Sequence, residues 1–209
     1  MKIIFRFHFF VFYLLTALNF LHADWVQTNG PYGGNIRCFA ISPNGTGGTN
    51  LFAGTYGGVF LSTNNGTSWT AVNSGLTNME VSSLAVSTNG AGGTNLFAGT
   101  NDGVFLSTNN GTSWTAASTG LTFTDVRSLA VSPNGAGGTN LFAGTSEGGV
   151  FLSTNNGTSW TAVDSGLTYY GVFSLAVSPN GAGGTNLFAG TNGGGVFLRS
   201  ERASCRERV

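Results

Sequence analysis

Only 8% of the 209 residues are charged, and the stretch 24–198 contains neither histidine nor lysine. Both histidines, His8 and His22, lie in the first 23 residues, as does Lys2. Catalysis by a Ser-His-Asp or Cys-His set, zinc held by imidazole, and Schiff-base chemistry on lysine therefore lack their residues in that stretch. Positive charge is scarce as well. Arg37 and Arg127 stand against Asp24, Glu80, Asp102, Asp125, Glu147 and Asp164; two cations against six anions leave a net charge of about −4. Such a body offers no track of cations for phosphates, which argues against nucleic acid as a partner. The six carboxylates are too few and too dispersed for a calcium cage, so neither a metal nor any other cofactor is expected. Cysteine is limited to Cys38 and Cys205, which is no disulfide framework; Cys38 reads as a small buried apolar residue in a strand. After residue 23 no segment has an apolar period of 3.6, so helices are not expected there.

The first 23 residues differ in kind. MKIIFRFHFFVFYLLTALNFLHA has a basic start at Lys2 and Arg6, an apolar run from Phe9 to Leu21, and a small residue, Ala23, before Asp24. That is the layout of a secretory signal peptide. The apolar run is short for a membrane-spanning helix, which needs about 20 residues. The expectation is a signal peptide at 1–23 and a product that is extracellular, periplasmic or on the cell surface. No stable membrane span remains after cleavage.

What is abundant is glycine, 34 residues, and repetition. Asn-Leu-Phe-Ala-Gly-Thr begins at Asn50, Asn95, Asn140 and Asn186, at spacings of 45, 45 and 46 residues. Trp69, Trp114 and Trp160 keep the same period. Each unit holds four strand candidates; in the second they are 81–87, 95–100, 103–108 and 114–118. They are rich in Val, Leu, Phe and Thr and are bounded by Gly/Asn clusters that suit positive φ. Four short antiparallel strands repeating every 45 residues predict an all-β chain of propeller blades rather than stacked β-helix rungs, which are usually shorter.

Between strands three and four stands Ser62-Thr63-Asn64-Asn65-Gly66-Thr67-Ser68-Trp69, repeated from Ser107 to Trp114 and from Ser153 to Trp160. It resembles the Asp-box, or bacterial neuraminidase repeat, Ser-x-Asp-x-Gly-x-x-Trp. Asn64, Asn109 and Asn155 stand where that motif has Asp, a mild departure because Asn also bonds its own backbone to hold a turn. The resemblance spans about 24–198. It implies a β-propeller in which Ser62, Asn64, Gly66 and Trp69, with Ser107, Asn109, Gly111, Trp114, Ser153, Asn155, Gly157 and Trp160, are structural. Such boxes occur in sialidases, sortilin-type receptors, xyloglucan-active hydrolases and photosystem II assembly factor-like proteins; the wording here is most similar to secreted proteins of the last kind. Sialidase activity is not expected, because that chemistry uses an arginine triad and Arg37 and Arg127 cannot supply one.

Trp25-Val26-Gln27-Thr28-Asn29 aligns with Trp69-Thr70-Ala71-Val72-Asn73, so 24–198 opens on a fourth-strand equivalent. Three full units follow. The last, 172–198, has three strands and then gives way to RSERASCRERV. Either the Trp25 strand completes the last blade and closes a four-bladed ring, or 24–198 is part of a longer propeller. The second is favoured because box families usually have more blades. Residues 199–209 then read as an anomalous tail, consistent with a frameshift or assembly scar.

In a four-stranded meander the 2–3 turns and the blade-to-blade loops share one face. Sequence variation collects there, together with Tyr56, Glu80, Asp102, Phe123, Asp125, Glu147, Tyr169 and Tyr170. These are the candidate ligand-binding residues. Aromatics would stack on sugar rings or peptide, and carboxylates would bond hydroxyls or amines. The expected role is a non-catalytic module that binds or scaffolds a carbohydrate or protein ligand. The alternative is a fragment of a glycoside hydrolase acting on polysaccharide, with Asp102 and Glu147 in equivalent turns of adjacent blades as the pair such chemistry needs.

Overall fold

The computed structural model describes residues 24–31, 34–89, 93–134, 138–181 and 184–201. The expected signal peptide and most of the Arg-rich tail, Cys205 included, lie outside the described residues. Fifteen strands and no helix are found among those described. The first sheet holds β1 (Ile36–Pro43), β2 (Thr49–Thr55), β3 (Gly58–Ser62) and β4 (Thr70–Ala71). The second holds β5 (Val81–Thr88), β6 (Thr94–Thr100), β7 (Gly103–Ser107) and β8 (Thr115–Ala116). The third holds β9 (Val126–Pro133), β10 (Thr139–Thr145), β11 (Val150–Ser153) and β12 (Thr161–Ala162). The fourth has β13 (Val172–Pro179), β14 (Thr185–Thr191) and β15 (Gly195–Glu201). Each is an antiparallel meander in chain order, and each is one sequence repeat.

Glycine makes the turns and the apolar residues stack the sheets. Gly58 and Gly103 sit at φ 100° and 106° in the 2–3 turns, a region closed to most L side chains. The second and third blades then bury both faces against their neighbours, and the first and fourth bury one. Phe52, Val59 and Leu76 of the first blade pack on Val81, Leu84, Leu96, Phe105 and Trp114 of the second. Phe97, Val104 and Leu121 meet Val126, Leu129, Leu141, Phe151 and Trp160 in the same way. Phe142, Val150 and Leu167 meet Val172, Leu175 and Leu187. Phe52, Phe97 and Phe142 are wholly buried, at about 25 cal/mol for each Å² of apolar surface removed from water. Low charge follows from this stacking, because a blade with two buried faces has few positions where an ion meets solvent.

The described arc has two open flanks. On the first blade Ile36, Phe39 and Ile41 are exposed, where Val81 and Leu84 are buried in the second. On the last, Val196 and Leu198 are exposed. The fourth sheet has three strands, and Trp25 is fully exposed rather than paired with β15. Cys38 is half-buried rather than enclosed, lying beside the core between the first two blades.

Candidate functional site

The 3–4 turns show why their sequence hardly varies. Ser107 Oγ donates to Asn109 Oδ1 at 2.9 Å and accepts the Gly111 N–H at 2.8 Å. Asn109 Oδ1 also accepts the Ser113 N–H at 2.9 Å, and its Nδ2 donates to Ser113 Oγ at 2.9 Å. The same bonds recur at Ser62, Asn64, Gly66 and Ser68, and at Ser153, Asn155, Gly157 and Ser159. Asn65, Asn110 and Asn156 all hold φ 55°, the left-handed region that Asn tolerates. Beyond the turn, Trp114 Nε1 donates to Val72 O at 2.7 Å and Trp160 Nε1 to Ala117 O at 2.8 Å, each tying its blade to the one before. All these polar groups are spent on the turn and the blade junction.

The opposite face, formed by the 2–3 turns and the blade-to-blade loops, is continuous. Each loop crosses from one blade's turn to the next. Met79 O accepts the Gly58 N–H, while Glu80 accepts from Asn101 Nδ2 and Asp102 accepts from Thr77 Oγ1. Asp125 O accepts the Ser146 N–H, Tyr170 O the Gly149 N–H and Gly171 O the Asn192 N–H. The topology therefore brings all eight candidate residues to one face.

Their surroundings separate them into two kinds. Four of the aromatics are seated and half open. A Cβ on Gly148 would lie 2.3 Å from Phe123 Cδ2, and one on Gly194 2.3 Å from Tyr169 Cδ2, so these rings lie directly against bare backbone. Tyr170 sits beside Gly149 in the same arrangement, with its Cδ1 3.3 Å from a built Cβ. Phe123, Tyr169 and Tyr170 keep 44%, 49% and 49% of their surface exposed. Tyr56 is exposed likewise, its ring 4.9 Å from the Arg37 guanidinium, which also donates to the Tyr56 hydroxyl.

The acids are mostly engaged. Asp125 forms an ion pair with Arg127 at 2.6 Å, half-buried on both sides. Glu80 is held by Asn101. Asp102 has the longer contact, 3.4 Å, from Thr77. Glu147 is exposed at the tip of its turn. Among the described residues no three of His, Cys, Asp and Glu gather into a possible metal site.

Three residues that sequence reasoning left out belong to this face. The first strand of each blade slips register by one residue at its start; the inserted residue is Ser82 in the second blade and Arg37, Arg127 and Phe173 in the first, third and fourth. A bulge re-aims its side chain. Here Arg127 lies over the Phe173 ring at 5.9 Å and Arg37 over Tyr56. The available signal was positional: the only two arginines of the repeats occupy the same place in units one and three.

Stacked four-stranded meanders with one repeat per sheet decide the architecture. The fold is a β-propeller. No protein-family model matches the chain, and no curated protein matches it in sequence. In structure it is similar to an extracellular domain from B. thetaiotaomicron, at 18% identity and TM-score 0.61 over 84% of this chain and 22% of that one. It is also similar to the GH74 xyloglucanase of Xanthomonas campestris, at 22% identity and TM-score 0.58 over 82% of this chain and 29% of that one. The GH74 enzyme of Niastella koreensis matches at 22% identity and TM-score 0.57 over 87% of this chain and 26% of that one. The chain thus spans less than a third of the length of each. The propeller's 3–4 turns and its variable loops lie at opposite ends of the blades, as a meander requires.

Proposed function

We propose that this chain is a secreted, non-catalytic propeller module that binds carbohydrate on the face of its 2–3 turns. The observation that carries the reading is the set of aromatic rings on that face. Phe123, Tyr169 and Tyr170 are pressed against glycine backbone, yet each leaves nearly half its surface to solvent. A ring fixed on one side offers a flat apolar platform without having to be ordered on binding. Sugar rings present such flat C–H faces, and their hydroxyls match the exposed carboxylates of Asp102 and Glu147. The Ser-x-Asn-x-Gly-x-x-Trp turns serve as structural Asp-boxes in this reading, since their polar atoms are consumed within the turn. Secretion rests on the signal-peptide layout of 1–23, and agrees with the extracellular domain and GH74 enzymes among the structural neighbours.

Calorimetric titration of the purified chain with soluble polysaccharides tests this. Tyr169→Ala with Tyr170→Ala should abolish the heat of binding while leaving the far-UV circular dichroism unchanged. Binding that survives the double substitution refutes this face, and turnover of a polysaccharide refutes the non-catalytic assignment.

A further inference from the structure

The 2–3 turns differ in length, and the difference has a partner elsewhere in the repeat. Between the threonine that ends the second strand and the valine that follows the turn stand three residues in the first two blades, 56–58 and 101–103. In the third and fourth blades there are four, Ser146-Glu147-Gly148-Gly149 and Asn192-Gly193-Gly194-Gly195. The loop that enters each blade changes with the turn. One position of that loop is Asn78 before the second blade, whose turn is short, and Phe123 and Tyr169 before the third and fourth, whose turns are long. The structure joins the two changes. A Cβ built on Gly148 would lie 2.3 Å from Phe123 Cδ2, and one built on Gly194 2.3 Å from Tyr169 Cδ2. Only a hydrogen fits beneath either ring, so the longer, glycine-bearing turn is the seat of the added aromatic. A ring that had drifted into a surface loop would not arrive twice with a matching gap in the next blade's turn.

The seat is held from both sides. Gly148 N–H donates to Thr145 Oγ1 at 2.9 Å, Ser146 N–H to Asp125 O at 2.9 Å and Gly149 N–H to Tyr170 O at 2.8 Å. The loops before and after the third blade therefore clamp its turn. In the fourth blade Asn192 N–H donates to Gly171 O at 2.9 Å. Phe123 keeps 44% of its surface open although its blade is packed on both faces, so the openness belongs to the position itself. Tyr170 stands between the two seats: its Cδ1 is 3.3 Å from a Cβ built on Gly149, next to Gly148, and its chain neighbour Tyr169 lies on the following turn. Phe123, Tyr170 and Tyr169 thus make a strip that crosses from the third blade to the fourth.

The strip repeats, and a ligand that covers it must repeat as well. Phe123 and Tyr169 hold the same place in successive units, so one blade step separates them. Sheets packed face to face lie about 10 Å apart, close to the length of a disaccharide in an extended chain. Pyranose rings joined through equatorial bonds form such a chain, in which the same flat C–H face returns after two units. Chains joined through axial bonds wind, and turn the next face away. Charge selects further. Glu147 is exposed on the turn that seats Phe123, while Arg127 is tied to Asp125 and Arg37 to Tyr56. A neutral polymer can donate its hydroxyls to the Glu147 carboxylate, whereas a polyuronate would be repelled by it.

We propose that this strip is a ladder for a neutral, extended, β-1,4-linked polysaccharide, with Phe123 and Tyr169 under sugar rings two units apart and Tyr170 against the unit between them. The proposal rests on the carbohydrate-binding reading above and narrows it to one class of chain, laid across the third and fourth blades.

Calorimetry with cello-, xylo- and manno-oligosaccharides of two to six units, and with malto-oligosaccharides as wound counterparts, tests the ladder. At least one β-1,4-linked series should bind, about 100-fold more tightly at six units than at two, because the second seat is then reached within the same complex. The malto series should show no such rise. Phe123→Ala and Tyr169→Ala, each alone, should bring the six-unit affinity down to that of the two-unit sugar with the far-UV circular dichroism unchanged. Gly148→Ala should act like Phe123→Ala, since its methyl takes the space of the ring, and Phe123→Tyr should retain the rise. Polysaccharide binding without any β-1,4-linked oligosaccharide binding, equal affinity at two and six units, an equal rise in the malto series, or a rise that survives either alanine overturns the ladder and leaves the carbohydrate-binding face standing. Failure of every polysaccharide and every oligosaccharide to bind overturns both.

Discussion

Replacing Asn109 by Ala and by Asp separates the geometry of the 3–4 turn from its charge. Asn109 Oδ1 accepts from Ser107 Oγ and from the Ser113 N–H, and its Nδ2 donates to Ser113 Oγ, all at 2.9 Å. Alanine removes all three bonds. At about 0.5–1.5 kcal/mol each, and discounted because the outer part of the turn is wet, the loss is about 2 kcal/mol. Aspartate keeps the acceptor oxygen for the backbone N–H, and the Ser113 hydroxyl turns round to donate to the second oxygen. Its cost is therefore expected within about 0.5 kcal/mol of zero. The second blade is the right place for the comparison because it is packed on both sides. Urea unfolding followed by far-UV circular dichroism reads the result. With a slope of about 1–3 kcal/mol per molar urea, Asn109→Ala should lower the midpoint by about 1 M and Asn109→Asp should leave it nearly in place. A midpoint unchanged by alanine, or lowered equally by aspartate, would show that the side-chain bonds do not hold this turn. The same pair at Asn155 should repeat the pattern.

Other outcomes follow from single contacts. Trp160→Phe keeps a ring in its slot but leaves Ala117 O without its donor, and should destabilise by about 1–3 kcal/mol in the same unfolding assay. Gly75→Ala places a methyl 2.2 Å from Trp114 O, whereas Gly45→Ala meets nothing within 4 Å at a similar φ; the first should be poorly folded and the second lose only about 1–2 kcal/mol. Burial pushes the Cys38 thiol up to about 11 from an ordinary 9, so the folded state holds its proton where the unfolded state has lost it. That contribution is complete below pH 9 and is lost as the pH rises toward 11, a fall that Cys38→Ala should remove from the stability–pH curve. Alkylation of Cys38 at pH 8 should be correspondingly slow in the folded protein and fast in urea.

The repeat was legible in the sequence because its turns are chemically explicit. The expected strands 81–87, 95–100 and 103–108 became Val81–Thr88, Thr94–Thr100 and Gly103–Ser107. Asn-Gly and Gly-Gly clusters mark where the backbone must reverse, and that requirement is local. The fourth strand was read too long: 114–118 contracts to Thr115–Ala116, because Trp114 leaves the ladder to reach the preceding blade. The face that gathers the variable loops was also legible, since a meander of four strands fixes which turns share an end.

What the sequence could not state was the condition of each residue on that face. Asp125 and Glu80 read as ligand-binding acids, but Arg127 and Asn101 hold them. Arg37, Arg127 and Phe173 read as ordinary strand residues until a one-residue bulge turned them toward the loops. Trp25 carries the same local signals as Trp114, yet one is fully exposed and the other buried. Turn chemistry and hydrophobic period act over a few neighbours, so the order of residues alone specifies the blade. Burial and pairing depend on which strand edge and which sheet face arrive beside a residue from 40 or more positions away, as Val72 does for Trp114, and only the packed structure decides that.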